Sequence, residues 1–146
     1  MKRIALLLIT ACLTFSATSA EDENGFVILQ LKDLSWDESS DRVQTKMLYG
    51  DPSKEGLYIM RIRFPANRGS SPHYHTQDRF ITVIEGTWYA GTDASHDMNK
   101  TTAIPAGGFM IHPAGAVHYD GAKDEPVVVE IRGMGPVATK QVAKTE

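Results

Sequence analysis

Disulfides have almost no material here: the 146-residue chain carries one cysteine, Cys12, close to its start. The domain must therefore be held by its core, by a metal ion, by a subunit interface, or by several of these. Helical patterning is missing as well. No stretch beyond the first twenty residues keeps apolar side chains at a 3.6-residue spacing. Basic charge is scarce, with 15 Lys and Arg against 18 Asp and Glu and a formal charge of −3. Nucleic acid wants a basic face, so no nucleic-acid partner is expected. The uncharged apolar run from Ile4 to Phe15 is too short for a comfortable membrane span. There is no internal repeat, no low-complexity segment, no phosphate loop, and no Ser/His/Asp or cysteine nucleophile arrangement.

What is present begins with a targeting layout. Lys2 and Arg3 precede the apolar run, the small residues Ser16 to Ala20 follow it, and Glu21-Asp22-Glu23 comes next. This is the order of a secretory signal peptide, with Thr18 and Ala20 at the small positions before the cut. The expected boundaries are a signal at 1–20 and a single domain at 21–146, of ordinary size. Cleavage removes Lys2, Arg3 and no acid, leaving 126 residues and a charge of −5. Cys12 leaves with the signal, and the protein is expected to be exported, periplasmic or secreted. Ile9-Thr10-Ala11-Cys12 also fits the bacterial lipoprotein pattern, so a lipid anchor on Cys12 is the alternative.

The rest reads as short strands between turns. Phe26 to Leu31 is expected as a first strand and Val43 to Tyr49 as a second, closed by the turn Gly50-Asp51-Pro52-Ser53. Leu57 to Phe64 alternates, with Tyr58, Met60, Ile62 and Phe64 on one face and Arg61 and Arg63 on the other, either solvated or in an oligomer contact. Arg79 to Glu85 and Thr87 to Gly91 flank Gly86 as the arms of a hairpin. Trp88 and Tyr89 then point to opposite faces, and both are read as packing residues. Thr92 to Thr102 is a polar loop in which His96 is solvated. Thr101 to Ile104, Phe109 to His112 and Val127 to Ile131 are further strands; Val117 to Tyr119 follows the Pro-Ala-Gly turn, and Asp120 to Pro126 reads as a polar turn. Gly133 to Pro136 ends the pattern, and Ala138 to Glu146 reads as a loose tail. Many short strands with Gly/Pro turns indicate an all-β sandwich or barrel.

The chemistry concentrates in three histidines. His73 and His75 are two residues apart, so a strand points both rings to one face. His118 follows the turn Pro113-Ala114-Gly115. Three neutral imidazoles on one spot make a metal site.

These residues carry a resemblance. Gly69-x3-His73-x-His75-x3-Arg79-x6-Gly86 resembles the first cupin motif, Gly-x5-His-x-His-x3-4-Glu-x6-Gly. Gly107-x5-Pro113-x-Gly115-x2-His118-x3-Ala122 resembles the second, Gly-x5-Pro-x-Gly-x2-His-x3-Asn. Together they span about residues 57–133. The resemblance implies an all-β, double-stranded jelly-roll barrel, commonly a homodimer, with one metal ion held by His73, His75 and His118. The sequence departs from the pattern at the fourth ligand: the family glutamate falls on Arg79, which has no lone pair to offer. The second-motif asparagine falls on Ala122. In an unbroken strand Gln77 shares the histidine face, which makes it the candidate fourth ligand.

The ion is expected to be Fe(II), Mn(II), Ni(II) or Zn(II), among which imidazole does not choose. With no carboxylate ligand the site stays cationic, and Arg79 adds charge that orients a small anionic molecule or else pairs with Asp78 or Glu85. Tyr119 either supplies a phenol proton or packs. His112 is read as an outer or surface residue, with a place at the barrel mouth as the alternative. Three histidines leave coordination positions open, so oxygenative, dioxygenase-like cleavage is the leading expectation. The alternatives are a module that binds a small ligand or metal without turnover, and a metal-dependent isomerase or lyase.

Overall fold

The computed structural model describes residues 22–143. The expected signal peptide and Cys12 lie outside the described residues. The architecture is all-β: ten strands and two short 3-10 turns, Leu31–Leu34 and Met98–Lys100, with no α-helix among the described residues. Strands β1 (Gln44–Tyr49), β2 (Gly56–Phe64), β9 (Val127–Gly135), β4 (Arg79–Glu85) and β7 (Phe109–His112) form a five-stranded antiparallel sheet in that order. Strands β6 (Thr102–Pro105), β5 (Thr87–Gly91) and β8 (Tyr119–Gly121) form a second sheet, and β3 (His73–His75) pairs with β10 (Thr139–Gln141) in a third. This is a jelly-roll barrel.

The core lies between the first two sheets. Tyr58, Phe64, Ile81, Val83, Val127, Val129 and Ile131 enter from the large sheet and Trp88 and Ala90 from the smaller one. The alternation of β2 buries Tyr58 and Phe64 as expected. Trp88 is buried, while Tyr89 stays half-buried beneath the Lys123 ammonium. Arg61 and Arg63 are ion-paired rather than solvated, Arg61 with Glu130 at 3.0 Å and Arg63 with Glu38.

Four segments differ from the sequence expectation. Asp120 and Gly121, expected in a polar turn, belong to β8 and pair with Ala90 and Tyr89. Phe26 to Leu31 forms no strand. Asp22 Oδ1 accepts the Phe26 N–H and Asp33 Oδ2 accepts the Gln30 N–H, which takes donors away from any ladder. Strand β9 runs on through Gly133 to Gly135 because β2 pairs with it as far as Gly56. A Cβ at Gly133 would meet the Tyr58 hydroxyl at 2.6 Å, so a glycine there lets the two strands stay in register. The tail is ordered as well: Thr139, Lys140 and Gln141 pair with His75, Tyr74 and His73. All three are exposed, so no apolar alternation betrays the strand.

The inward and outward faces of β4 give a direct test. Ile81→Ala, at a fully buried position, is expected to cost ~2–5 kcal/mol. Phe80→Ala, on the outer face, is expected to cost about 1 kcal/mol or less. Urea unfolding reads both as shifts in midpoint at unchanged slope.

Candidate metal centre

Backbone pairing sets the site. His73 and His75 are alternate residues of β3, so both rings point into the barrel. His118 is brought to them by a reciprocal pair of backbone bonds with His73, N–H to O 2.9 Å in each direction. The ring centroids stand 4.8 Å apart for His73 and His75, 4.3 Å for His73 and His118, and 5.1 Å for His75 and His118. A fourth ring, His112 at the end of β7, stands 3.6 Å from His118, tilted by 36°. All four histidines are buried.

Hydrogen bonds fix the tautomers. His73 Nδ1 donates to the Ser71 carbonyl at 2.7 Å and His118 Nδ1 to the Ala116 carbonyl at 2.9 Å. In both rings the lone pair is therefore left on Nε2. His75 differs: its Nε2 accepts from Arg79 Nη1 at 2.7 Å, and its Nδ1 donates to Thr139 Oγ1 at 3.1 Å. The first residue of β4 thus sends a guanidinium into the histidine cluster.

Burial disfavours the charged form of three of the rings, His75, His112 and His118. Loss of solvation, then Arg79 and the neighbouring rings, lowers His75 to about 3. Burial lowers His118 to about 4 against the pull of the Ala116 carbonyl, and His112 to about 2 with help from His118 and Arg79. Burial also pulls Arg79 below its usual value, opposed by Tyr58 and Asp120. Asp120 is raised by burial, against His73, Arg79, Ser70 and Trp88. Neutral imidazoles are the form that binds a metal.

The structure brings His73, His75, His118 and Arg79 together and leaves Gln77 and Tyr119 apart. Gln77 is exposed in the bend between β3 and β4. The strand breaks after His75, so its parity does not carry through. Tyr119 is buried, but its hydroxyl donates to the Asp97 carbonyl at 2.8 Å and lies 3.2 Å from Ser95 Oγ, under the 92–100 loop. Arg79 makes no ion pair with Asp78 or Glu85 among the described residues. Two residues of the cluster escape sequence reasoning, His112 and Asp120. Asp120 shares the His118 face by i, i+2 parity, and that spacing is the signal that finds it. His112 is opposite Arg79 in the β4–β7 register, a pairing no local pattern displays.

A cavity of about 230 Å³ adjoins the cluster. His73, His75, Arg79, His112 and Asp120 give it polar walls, and Ile62, Phe64 and Val129 give it apolar ones.

The ChrR cupin-like domain family matches residues 24–138. The chain belongs to this family. No curated protein matches the sequence. Solved structures share the fold of this cupin at low identity. The polyketide cyclase RemF from Streptomyces resistomycificus aligns with a TM-score of 0.59 at 17% identity, over 71% of this chain and 73% of that one. The DMSP lyase DddQ from Ruegeria pomeroyi DSS-3 aligns with a TM-score of 0.60 at 18% identity, over 73% of this chain and 54% of that one, so the cupin spans about half of the lyase's length. A cupin-like protein from Thermotoga maritima aligns with a TM-score of 0.59 at 19% identity, over 73% and 81%.

The cupin's donor set fits a metal ion. The ligand atoms of His73, His75 and His118 lie within 4.8 Å of one another. His118 Nε2 is buried with no hydrogen-bond partner. A buried polar atom left alone costs about 1–3 kcal/mol, a cost that coordination removes.

The depressed histidines predict acid sensitivity. Their folded pKa values lie below the unfolded ~6.5, so the unfolded chain takes up protons first as pH falls. Stability present above pH ~6.5 is then lost on acidification towards 4, where His118 titrates, at about 1.4 kcal/mol per pH unit for each of the three rings. Asp120, raised in the fold, opposes this for one proton. Urea midpoints of chelator-treated protein are expected to fall steeply between pH 6 and 4, and His112→Leu to flatten that slope by about one ring's share.

Proposed function

We propose that this cupin is an exported protein that holds one divalent transition metal ion on His73, His75 and His118 and acts on a small anionic molecule. The observation that carries the reading is the tautomer lock. Backbone carbonyls hold Nδ1 of His73 and His118, so both present Nε2 to the same spot. The anion is supported by unpaired donors. Arg79 Nε and Trp88 Nε1 are buried without partners, and both residues line the cavity. A carboxylate or enolate would satisfy both, with its apolar part against Ile62, Phe64 and Val129.

The reaction proposed is oxygenative cleavage, with molecular oxygen as co-substrate. When bound, the metal would supply a Lewis acid with open positions for oxygen and substrate. The chain's own part is to bind and orient. Arg79 neutralises the substrate's charge, Trp88 donates to its oxygen, and the apolar wall excludes water. Fe(II), Mn(II), Ni(II) and Zn(II) all suit the imidazoles. A second reading has its own support. Arg79 occupies His75 Nε2, as suits a module that binds without turnover. The names of RemF and DddQ are those of a cyclase and a lyase, which keeps lyase or isomerase chemistry in view.

Elemental analysis of the protein, purified from its native compartment without chelator or tag, is expected to find one transition metal ion per chain. His118→Ala, which removes a ligand of the site, is expected to lose it. Iron with oxygen uptake on a panel of small acids and diketones supports cleavage. Zinc without uptake moves the assignment to lyase or binding chemistry, and a metal-free protein overturns the site.

Arg79→Ala is expected to act in two directions. Removing the guanidinium frees His75 Nε2 and one positive charge, so metal affinity rises about tenfold or more. The same change weakens a small carboxylate ligand by a comparable factor. Calorimetric titration of each measures both.

A further inference from the structure

Arg79 stands where the cupin motif has its carboxylate, yet the cavity is not without one. Asp120 is 6% exposed and lines the cavity with His112. Its carboxylate pairs with no Lys, Arg or His among the described residues. We infer that Asp120 supplies the missing anionic ligand, so that His112, His118 and Asp120 form a second seat for the metal beside the three-histidine one.

Four observations meet there. The donor atoms of His112, His118 and Asp120 lie within 4.8 Å of one another. His112 Nε2 and His118 Nε2 are both buried without a partner, in side chains 4% and 2% exposed. A single orphan is tolerable; two adjacent unpartnered ring nitrogens beside a buried carboxylate are what a bound cation would satisfy. Asp120 is also rigidly held. Its N–H donates to Ser70 Oγ at 3.0 Å and its carbonyl accepts the Ser70 N–H at 2.7 Å. Gly69 and Gly121 let the two backbones approach so closely that a Cβ on either would collide with the other segment. The fourth observation is Arg79 itself, which holds the lone pair of His75.

Charge then favours the second seat. The three histidines offer none, and one of them is capped by a cation. The second set offers a carboxylate, and its two ring Nε2 atoms carry no competing hydrogen bond. His118 belongs to both, and its Nδ1 is committed to Ala116, so the seats exclude each other and the cavity holds one ion at a time. Two histidines and one carboxylate with open positions are the donor set of non-haem Fe(II) oxygenases. The inference rests on the proposed metal binding and gives the oxygen reaction its ligand set.

Co(II) is the probe, because its visible bands report binding without turnover. Its affinity is measured by chelator competition in the wild type and in Asp120→Asn, His112→Ala and His75→Ala. Loss of even an outer partner costs a metal site about 10–100-fold. Asp120→Asn and His112→Ala are therefore each expected to weaken binding by about that much or more, and His75→Ala to change it less than about threefold. Wild-type affinity in Asp120→Asn and His112→Ala, with loss confined to His75→Ala, overturns this seat and leaves the three-histidine site standing. No Co(II) binding by the wild type overturns both. A crystal of the wild type with Co(II) needs no variant: an anomalous peak against Asp120 and His112 supports the second seat, and one against His75 and His73 rules it out.

Discussion

One hydrogen bond organises this barrel: Arg79 Nη1 to His75 Nε2, 2.7 Å, among four buried imidazoles. A guanidinium in such a place is costly unless something accepts its protons. His75 accepts one, and to do so it must be neutral with its proton on Nδ1. Thr139 on β10 then takes that proton, at 3.1 Å. The tautomer of a histidine on β3 is in this way set from both sides, by the first residue of β4 and by the last short strand. The neighbouring rings follow the same logic. His75, His112 and His118 do not gain a proton easily: burial is the main cause, and the cation beside them adds to it.

Most of the barrel is legible in the sequence because most of it alternates. Arg79 to Val83 buries every second residue, Leu57 to Phe64 buries Tyr58 and Phe64 with Met60 and Ile62 packed partly against the core, and Gly86 marks the turn between two arms. The parts that escape have no such face. Thr139-Lys140-Gln141 is exposed throughout, and its strand exists through backbone bonds to β3 alone. Phe26 to Leu31 fails in the opposite sense, with apolar residues but with donors drawn off by Asp22 and Asp33.

The site divides along the same line. His73, His75 and His118 are found by spacing, since i, i+2 parity and a Pro-Ala-Gly turn are local facts. His112 joins them through long-range register, its pairing with Arg79, which no local pattern records; Asp120 is two residues from His118, a spacing that does show locally, and the clasp of Ser70 holds it in place. Gln77 shows the limit of parity. The rule holds along one strand, and the strand ends at His75.

A barrel of this kind has a further reason to want an ion. Cys12, the sole cysteine, lies outside the described residues, so no disulfide ties the described sheets together. His75 belongs to the two-stranded sheet, His112 to the five-stranded sheet and Asp120 to the three-stranded sheet, with His118 bridged to β3. An ion on His112, His118 and Asp120 joins the two sheets that enclose the core. Binding restricted to the folded state adds RT ln(1 + [M]/Kd) to stability, about 4 kcal/mol at a thousandfold excess over Kd. That is comparable to what a disulfide gives a small domain. The same neutral rings that are hard to protonate, and that leave lone pairs unpaired in the core, are then the means by which metal binding and folding stabilise each other.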